Sequence, residues 1–190
     1  MYLNRFASST KPTDMTDSDE FKSLLTSASD LGLTDINESN PRYVSRNVVV
    51  NGIRIHLLEW GEPSAPTILL LHGANQSSHS WDLVSLSLAQ QFHIVAIDQR
   101  AHGDTEWPRD GETNRESMAL DAHAVLKALD VENAIVIGHS MGGIVAMTLL
   151  IAYPNLASRA VLVDIAPDLR GSSGAKEGQK QILEFIASAR

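Results

Sequence analysis

Four short, nearly continuous apolar runs constrain this 190-residue sequence more than any other feature. They are TILLL (67–71), HIVAI (93–97), NAIVIG (133–138) and AVLVDIAP (160–167). Apolar runs of this length, without polar alternation, read as strands buried on both faces. Between them lie segments with helical spacing. Trp81 to Gln90 places Leu83, Leu86 and Leu88 at helical intervals, and Arg115 to Leu129 puts Met118, Ala122, Val125, Leu126 and Leu129 on one face. Gly142 to Tyr153 is apolar on nearly every side and stops at Pro154. Upstream, RYVSRNVVV and IRIHLLEW flank Asn51-Gly52, the strongest two-residue signal for a hairpin. Strands alternating with helices imply a parallel sheet covered on both faces. The expected fold is therefore α/β: a doubly wound, mostly parallel sheet with an N-terminal antiparallel hairpin. Chemistry in such sheets gathers at the carboxyl ends of the strands.

Composition divides the chain into three parts. Residues 1–40 are polar and acidic, with Asp14, Asp17, Asp19, Glu20, Asp30, Asp35 and Glu38 against Arg5, Lys11 and Lys22. They read as a solvated extension with one short helix, capped by Ser18 and ended by Gly32, with Phe21, Leu24, Leu25 and Ala28 on one face. Residues 41–170 form the expected core. Residues 171–190 hold a flexible joint, GSSGAKEG, and a short amphipathic helix over 179–188. A formal net charge of -8 argues against nucleic-acid binding, because an acidic surface repels phosphate. The absence of cysteine excludes a disulfide scaffold, a thiolate zinc site and a thiol nucleophile. Ile144 to Tyr153, the longest nearly apolar run, is far short of the roughly 20 residues that span a bilayer. The N-terminus has no apolar signal region, so a cytoplasmic location is expected. No phosphate-binding loop, dinucleotide fingerprint or metal-spaced histidine cluster is present, and neither cofactor nor metal is expected.

Three loops at strand ends carry one kind of chemistry. Gly138-His139-Ser140-Met141-Gly142 is Gly-x-Ser-x-Gly set directly between a buried strand and a buried helix. In that context the turn is so sharp that the serine is strained and its oxygen stands above the sheet. Larger residues at 138 and 142 would collide, and Gly143 extends the clearance. Ser140 is the expected nucleophile. An acyl-transfer site also needs backbone N–H groups aimed at the developing oxyanion. Met141 supplies one, and Ala74, in the loop Leu71-His72-Gly73-Ala74, supplies the other. His72 is expected to orient that loop. In the third loop, Asp98-Gln99-Arg100-Ala101-His102-Gly103-Asp104, Asp98 and Arg100 are expected to pair with each other in a structural role.

With LLLHGANQSSHSW, DQRAHGDT and IVIGHSMGG in that order, the sequence resembles the α/β-hydrolase fold superfamily in its esterase and epoxide-hydrolase-like branch. The resemblance covers residues 42–170. It implies a Ser, Asp or Glu, His triad in that chain order and a small-molecule, ester-like substrate. Epoxide hydrolases and haloalkane dehalogenases carry Asp at the elbow, so the serine points to ester-type hydrolysis. Ala101 stands where the family usually has Gly, and no functional consequence is expected from it.

The resemblance also exposes what is missing. None of His56, His72, His79, His93, His102, His123 and His139 follows Ser140. His139, adjacent on a sharp turn, is a poor base. Asp164, Asp168, Glu177 and Glu184 follow Ser140, and some members would take the acid from Asp164. The segment from Gly171 to Arg190 resembles the start of a lid. These features suggest the N-terminal part of a longer hydrolase, with AVLVDIAP left as an open apolar edge and little turnover from this chain alone. Two other readings stay open: a non-catalytic binding or scaffold protein, and assembly with a second chain that completes the fold.

Overall fold

A computed structural model describes residues 13–14, 19–33, 35–37 and 39–165. A seven-stranded sheet runs through it in the order β1-β2-β3-β5-β4-β6-β7. The strands are β1 (Thr13–Asp14), β2 (Val44–Val50), β3 (Ile53–Trp60), β4 (Thr67–Leu71), β5 (His93–Ile97), β6 (Ala134–His139) and β7 (Ala157–Val163). The pairs β1–β2, β2–β3 and β3–β5 are antiparallel. The pairs β4–β5, β4–β6 and β6–β7 are parallel. The expected α/β architecture is present, with its antiparallel hairpin at one side.

The hairpin forms where Asn51-Gly52 places it. Val50 pairs with Ile53, and both turn residues have positive φ, 49° and 80°. A two-residue turn of this hand matches the right-handed twist of the flanking strands. β4 and β5 are buried at every position, as their unbroken apolar composition requires.

Two apolar layers sandwich the sheet. One joins Ile55, Leu57, Leu69, Val95 and Val136 to helices α3 (Arg115–Ala128) and α4 (Met141–Ala152). The other joins Leu58, Trp60, Leu70, Ile94 and Ala96 to α1 (Asp19–Asp30) and α2 (Asp82–Leu88). The α1 helix buries Phe21 and Ala28 in this packing. Asn114 caps α3 by accepting a bond from Ser117 N–H at 2.8 Å, which satisfies one of the free donors of its first turn. The helical segment after β4 begins with a single 3₁₀ turn at Ser78–Trp81 before α2.

β7 lies at the edge of the described sheet, as the expectation of an open apolar edge has it, while its exposed Val161 and Val163 depart from the reading of a strand buried on both faces. Apolar composition alone does not distinguish a strand covered on both faces from one that meets solvent. The expected Ser18 cap, the end of the AVLVDIAP run, the joint at 171–178, the helix at 179–188 and the carboxylates Asp168, Glu177 and Glu184 lie outside the described residues. Among the described residues, no helix is long and apolar enough to cross a membrane.

Candidate active site

The carboxyl ends of β4, β5 and β6 converge at one rim of the sheet, because these strands run parallel in adjacent positions. Ser140 sits there, between the end of β6 and the start of α4, with φ 48° and ψ -111°. That backbone region is strained for a residue with a side chain, and strain of this kind typically costs about 1–3 kcal/mol. The turn is held from outside, since Ser140 N–H donates to Val163 O at 2.9 Å. The Ser140 hydroxyl makes no hydrogen bond to any described residue.

The flanking glycines are required by space. A Cβ at Gly138 would lie 2.7 Å from Gly143 N, and one at Gly142 would lie 2.6 Å from His72 O. Both obstacles are backbone, so neither can swing aside. α4 thereby packs its first turn directly against the end of β4. First-turn N–H groups have no partner inside a helix. The Met141 N–H is such a group, and it bonds to no other described residue. The Ala74 N–H is likewise unengaged by the described residues.

His72 anchors the β4 loop as expected. It is fully buried, its Nδ1 lies 2.8 Å from Gly73 O, and its Nε2 accepts from Gln99 N–H at 3.0 Å. Gln99 Nε2 donates in turn to His72 O at 2.7 Å. Burial pushes the imidazole below the usual histidine range, outweighing the bond to Gly73 O. A neutral ring with Nδ1–H satisfies both contacts.

The expected Asp98–Arg100 pair is replaced by two others. Arg100 reaches α3, where its Nε and one terminal nitrogen bond the two Asp121 oxygens at 2.7 and 2.9 Å. This bidentate geometry gives a guanidinium more than a single contact to Asp98 could. Asn51 Nδ2 also donates to Asp121 at 2.8 Å, tying the hairpin turn to α3. Asp121 was detectable in the sequence as a lone carboxylate beside the apolar face of α3, where burial demands a partner. Asp98 binds His56 instead, with Oδ2 2.8 Å from Nδ1, and it accepts from Ser78 N–H and Asp104 N–H at 2.6 and 2.9 Å. Burial would raise this carboxyl. The His56 contact and the two N–H donors outweigh it and hold the group well below the usual carboxylate range. Ser45 Oγ lies 2.9 Å from the other His56 nitrogen.

At the elbow, His139 Nδ1 lies 3.0 Å from Gln76 Oε1, and its Nε2 lies 3.7 Å from Asp164 Oδ2. Gln76 Oε1 also accepts from Gly73 N–H at 2.8 Å. Asp164 follows β7 with φ 55° and a side chain that is 80% exposed. Beside the elbow lies a groove of about 620 Å³, lined in part by Gln76, His102, Trp107, Met118 and Met141. Trp107 is 72% exposed at its rim. No cluster of metal-ligating side chains occurs among the described residues.

Comparison with known proteins places this architecture. The family model for the alpha/beta hydrolase fold matches residues 66–182. The chain belongs to the α/β-hydrolase fold family. An esterase of Mycobacterium tuberculosis is 31% identical over 144 residues, covering 70% of this chain and 47% of the relative. A soluble epoxide hydrolase of a Corynebacterium strain is 36% identical over 121 residues, covering 64% of this chain and 41% of the relative. The structure of an epoxide hydrolase without ligand superposes with a TM-score of 0.63 at 34% identity, covering 70% of this chain and 46% of that one. The chain thus spans about half the length of these relatives.

Proposed function

We propose that this chain carries the nucleophile and oxyanion hole of a serine hydrolase acting on a carboxylic ester or related small acyl compound. The observation that carries the reading is Ser140, held at φ 48° and ψ -111° with its hydroxyl free of described partners. A merely structural serine has no need of such a backbone. In the reaction, Ser140 Oγ attacks the acyl carbon and its proton passes to a base. The carbonyl electrons move onto oxygen, where the Ala74 and Met141 N–H groups stabilise the charge. Collapse expels the alkoxide, which takes up the proton, and water then releases the acid from Ser140. Each oxyanion donor is expected to contribute about 10²–10³ in rate.

Asp164, just past the end of β7, is the candidate acid. The base is a histidine that no described residue supplies, since no described residue hydrogen-bonds Ser140 Oγ. The groove beside Met141, with Trp107 and Met118, suits an apolar group of the ester. A hydroxyl nucleophile favours ester cleavage over the epoxide opening that some relatives' names denote.

The test is p-nitrophenyl butyrate with the 190-residue protein and its Ser140→Ala variant, read by intact and peptide mass spectrometry. The expected result is slow butyrylation confined to Ser140 and lost in the variant. Without a triad histidine, turnover should stay within about 10³–10⁴ of the uncatalysed rate. Equal acylation of the variant would overturn the nucleophile, and fast turnover dependent on Ser140 would overturn the missing base.

A further inference from the structure

We propose that Gln76 is the positioning residue of this site, clamping the oxyanion loop onto the nucleophile elbow through a single carboxamide oxygen. This inference rests on the reading of Ser140 and Ala74 given above. An amide oxygen has two acceptor positions, and both are filled. Gly73 N–H occupies one at 2.8 Å, and His139 Nδ1 occupies the other at 3.0 Å. Gly73 immediately precedes the oxyanion donor Ala74, and His139 immediately precedes Ser140. One atom therefore sets the separation between donor and nucleophile.

Three consequences follow from this contact. Gly73 N–H is consumed by Gln76, which leaves Ala74 N–H as the donor this loop can offer an oxyanion. His139 must carry its proton on Nδ1, because Gln76 Oε1 can only accept, so the ring is committed to the clamp and not to Ser140. A Cβ at Gly73 would stand 2.6 Å from His139 Nδ1 and 2.7 Å from Gln76 Oε1, so a larger residue there would push the clamp apart. Asn75, between the donor and the clamp, takes φ 57°, which folds the loop back sharply enough for Gln76 to reach Gly73.

Magnitudes decide that this contact is about geometry rather than stability. The Gln76 side chain is exposed and its bond to His139 is made at the surface, while its bond from Gly73 N–H is part-buried. Exposed hydrogen bonds exchange with water and add little net stability. A misplacement of about 1 Å at a reacting centre, by contrast, can cost around a hundredfold in rate. Removing the clamp should therefore cost rate without unfolding the protein.

The experiment compares wild type, Gln76→Leu and Gln76→Glu, all of similar side-chain size. Single-turnover acylation of Ser140 by p-nitrophenyl butyrate is followed over a range of ester concentrations. Imidazole ¹⁵N NMR of His139 is recorded in parallel. Gln76→Leu is expected to lower the limiting acylation rate about tenfold to a hundredfold at unchanged half-saturating ester. It should also lose the Nδ1–H signature of His139 while remaining folded, with a cooperative melting transition. Gln76→Glu, which retains both acceptors, should keep the Nδ1–H of His139 and recover part of the rate, its carboxylate beside the oxyanion loop holding it below wild type. If Gln76→Leu acylates at the wild-type rate, the positioning role is overturned while Ser140 stands as nucleophile. If wild type itself is never acylated at Ser140, the reading of the nucleophile fails and the positioning role falls with it.

Discussion

Ser45 and Ser140 lie on the same sheet in opposite circumstances. Ser45 Oγ is 2.9 Å from His56, and His56 is 2.8 Å from Asp98, the order of contacts that a hydrolytic triad uses. Ser140 has no such partner among the described residues, yet its backbone is strained and it is flanked by Gly138 and Gly142, where backbone contacts leave no room for a Cβ. At Ser45 the chain of bonds ties β2 to β3 and to the end of β5. The histidine and carboxylate are buried, and Ser78 N–H and Asp104 N–H complete the Asp98 shell. Both His56 ring nitrogens and both Asp98 carboxylate oxygens have partners there. The comparison teaches that hydrogen-bond order does not define a reaction centre. An unspent hydroxyl, unspent N–H donors and stored strain distinguish the elbow, while satisfied partners mark the Asp98 cluster as a staple of the fold.

The largest expected effect falls on the staple. Asp98→Ala leaves His56 and two backbone donors without an acceptor, and removing one partner of a buried pair costs about 3–5 kcal/mol. Urea unfolding measures it, and a loss below about 1 kcal/mol would break the structural reading. Acidity offers the same test in the native protein. The folded carboxyl lies below its unfolded value near 4, so its stabilisation is complete above about pH 4 and drains as pH falls toward the folded value. Wild type should therefore lose stability through that acid window faster than Asp98→Asn does.

The elbow should respond next. Gly142→Ala presses a methyl against the carbonyls of Leu71 and His72, an overpacking expected to cost about 1–3 kcal/mol and to abolish acylation of Ser140. The sharpest contrast comes from the serines themselves. Ser140→Gly should raise stability by about 1 kcal/mol or more, because glycine adopts its backbone freely. Ser45→Ala should lower stability by about 1 kcal/mol through loss of the His56 contact. The same sign for both changes would erase the distinction. The smallest effect is at Ala101, whose φ of 63° is a left-handed conformation that a Cβ disfavours. Ala101→Gly should add up to about 1 kcal/mol in thermal melting with acylation unchanged.

Local chemistry makes much of this fold readable from the sequence. Asn51-Gly52 specified the hairpin and its register, and Gly138, Ser140 and Gly142 specified the elbow, because backbone sterics act on neighbours in sequence. Asp121 and Gln76 were missed since their roles depend on partners 21 residues and 63 residues away in the chain, Arg100 and His139. Such contacts arise only once parallel strands bring their ends together. Ala101 read as a harmless replacement because composition does not reveal the sign of φ. At β7 the residue types suit a fully buried strand, and the exposure of Val161 and Val163 follows the other reading of that run, an open apolar edge.

The most direct test of the account is to treat the 190-residue protein with a fluorophosphonate and map the adduct by peptide mass spectrometry. Ser140→Ala and Ser45→Ala serve as controls. The account predicts phosphonylation at Ser140, loss of the adduct in Ser140→Ala and its persistence in Ser45→Ala. An adduct on Ser45, or labelling that survives Ser140→Ala undiminished, would contradict it.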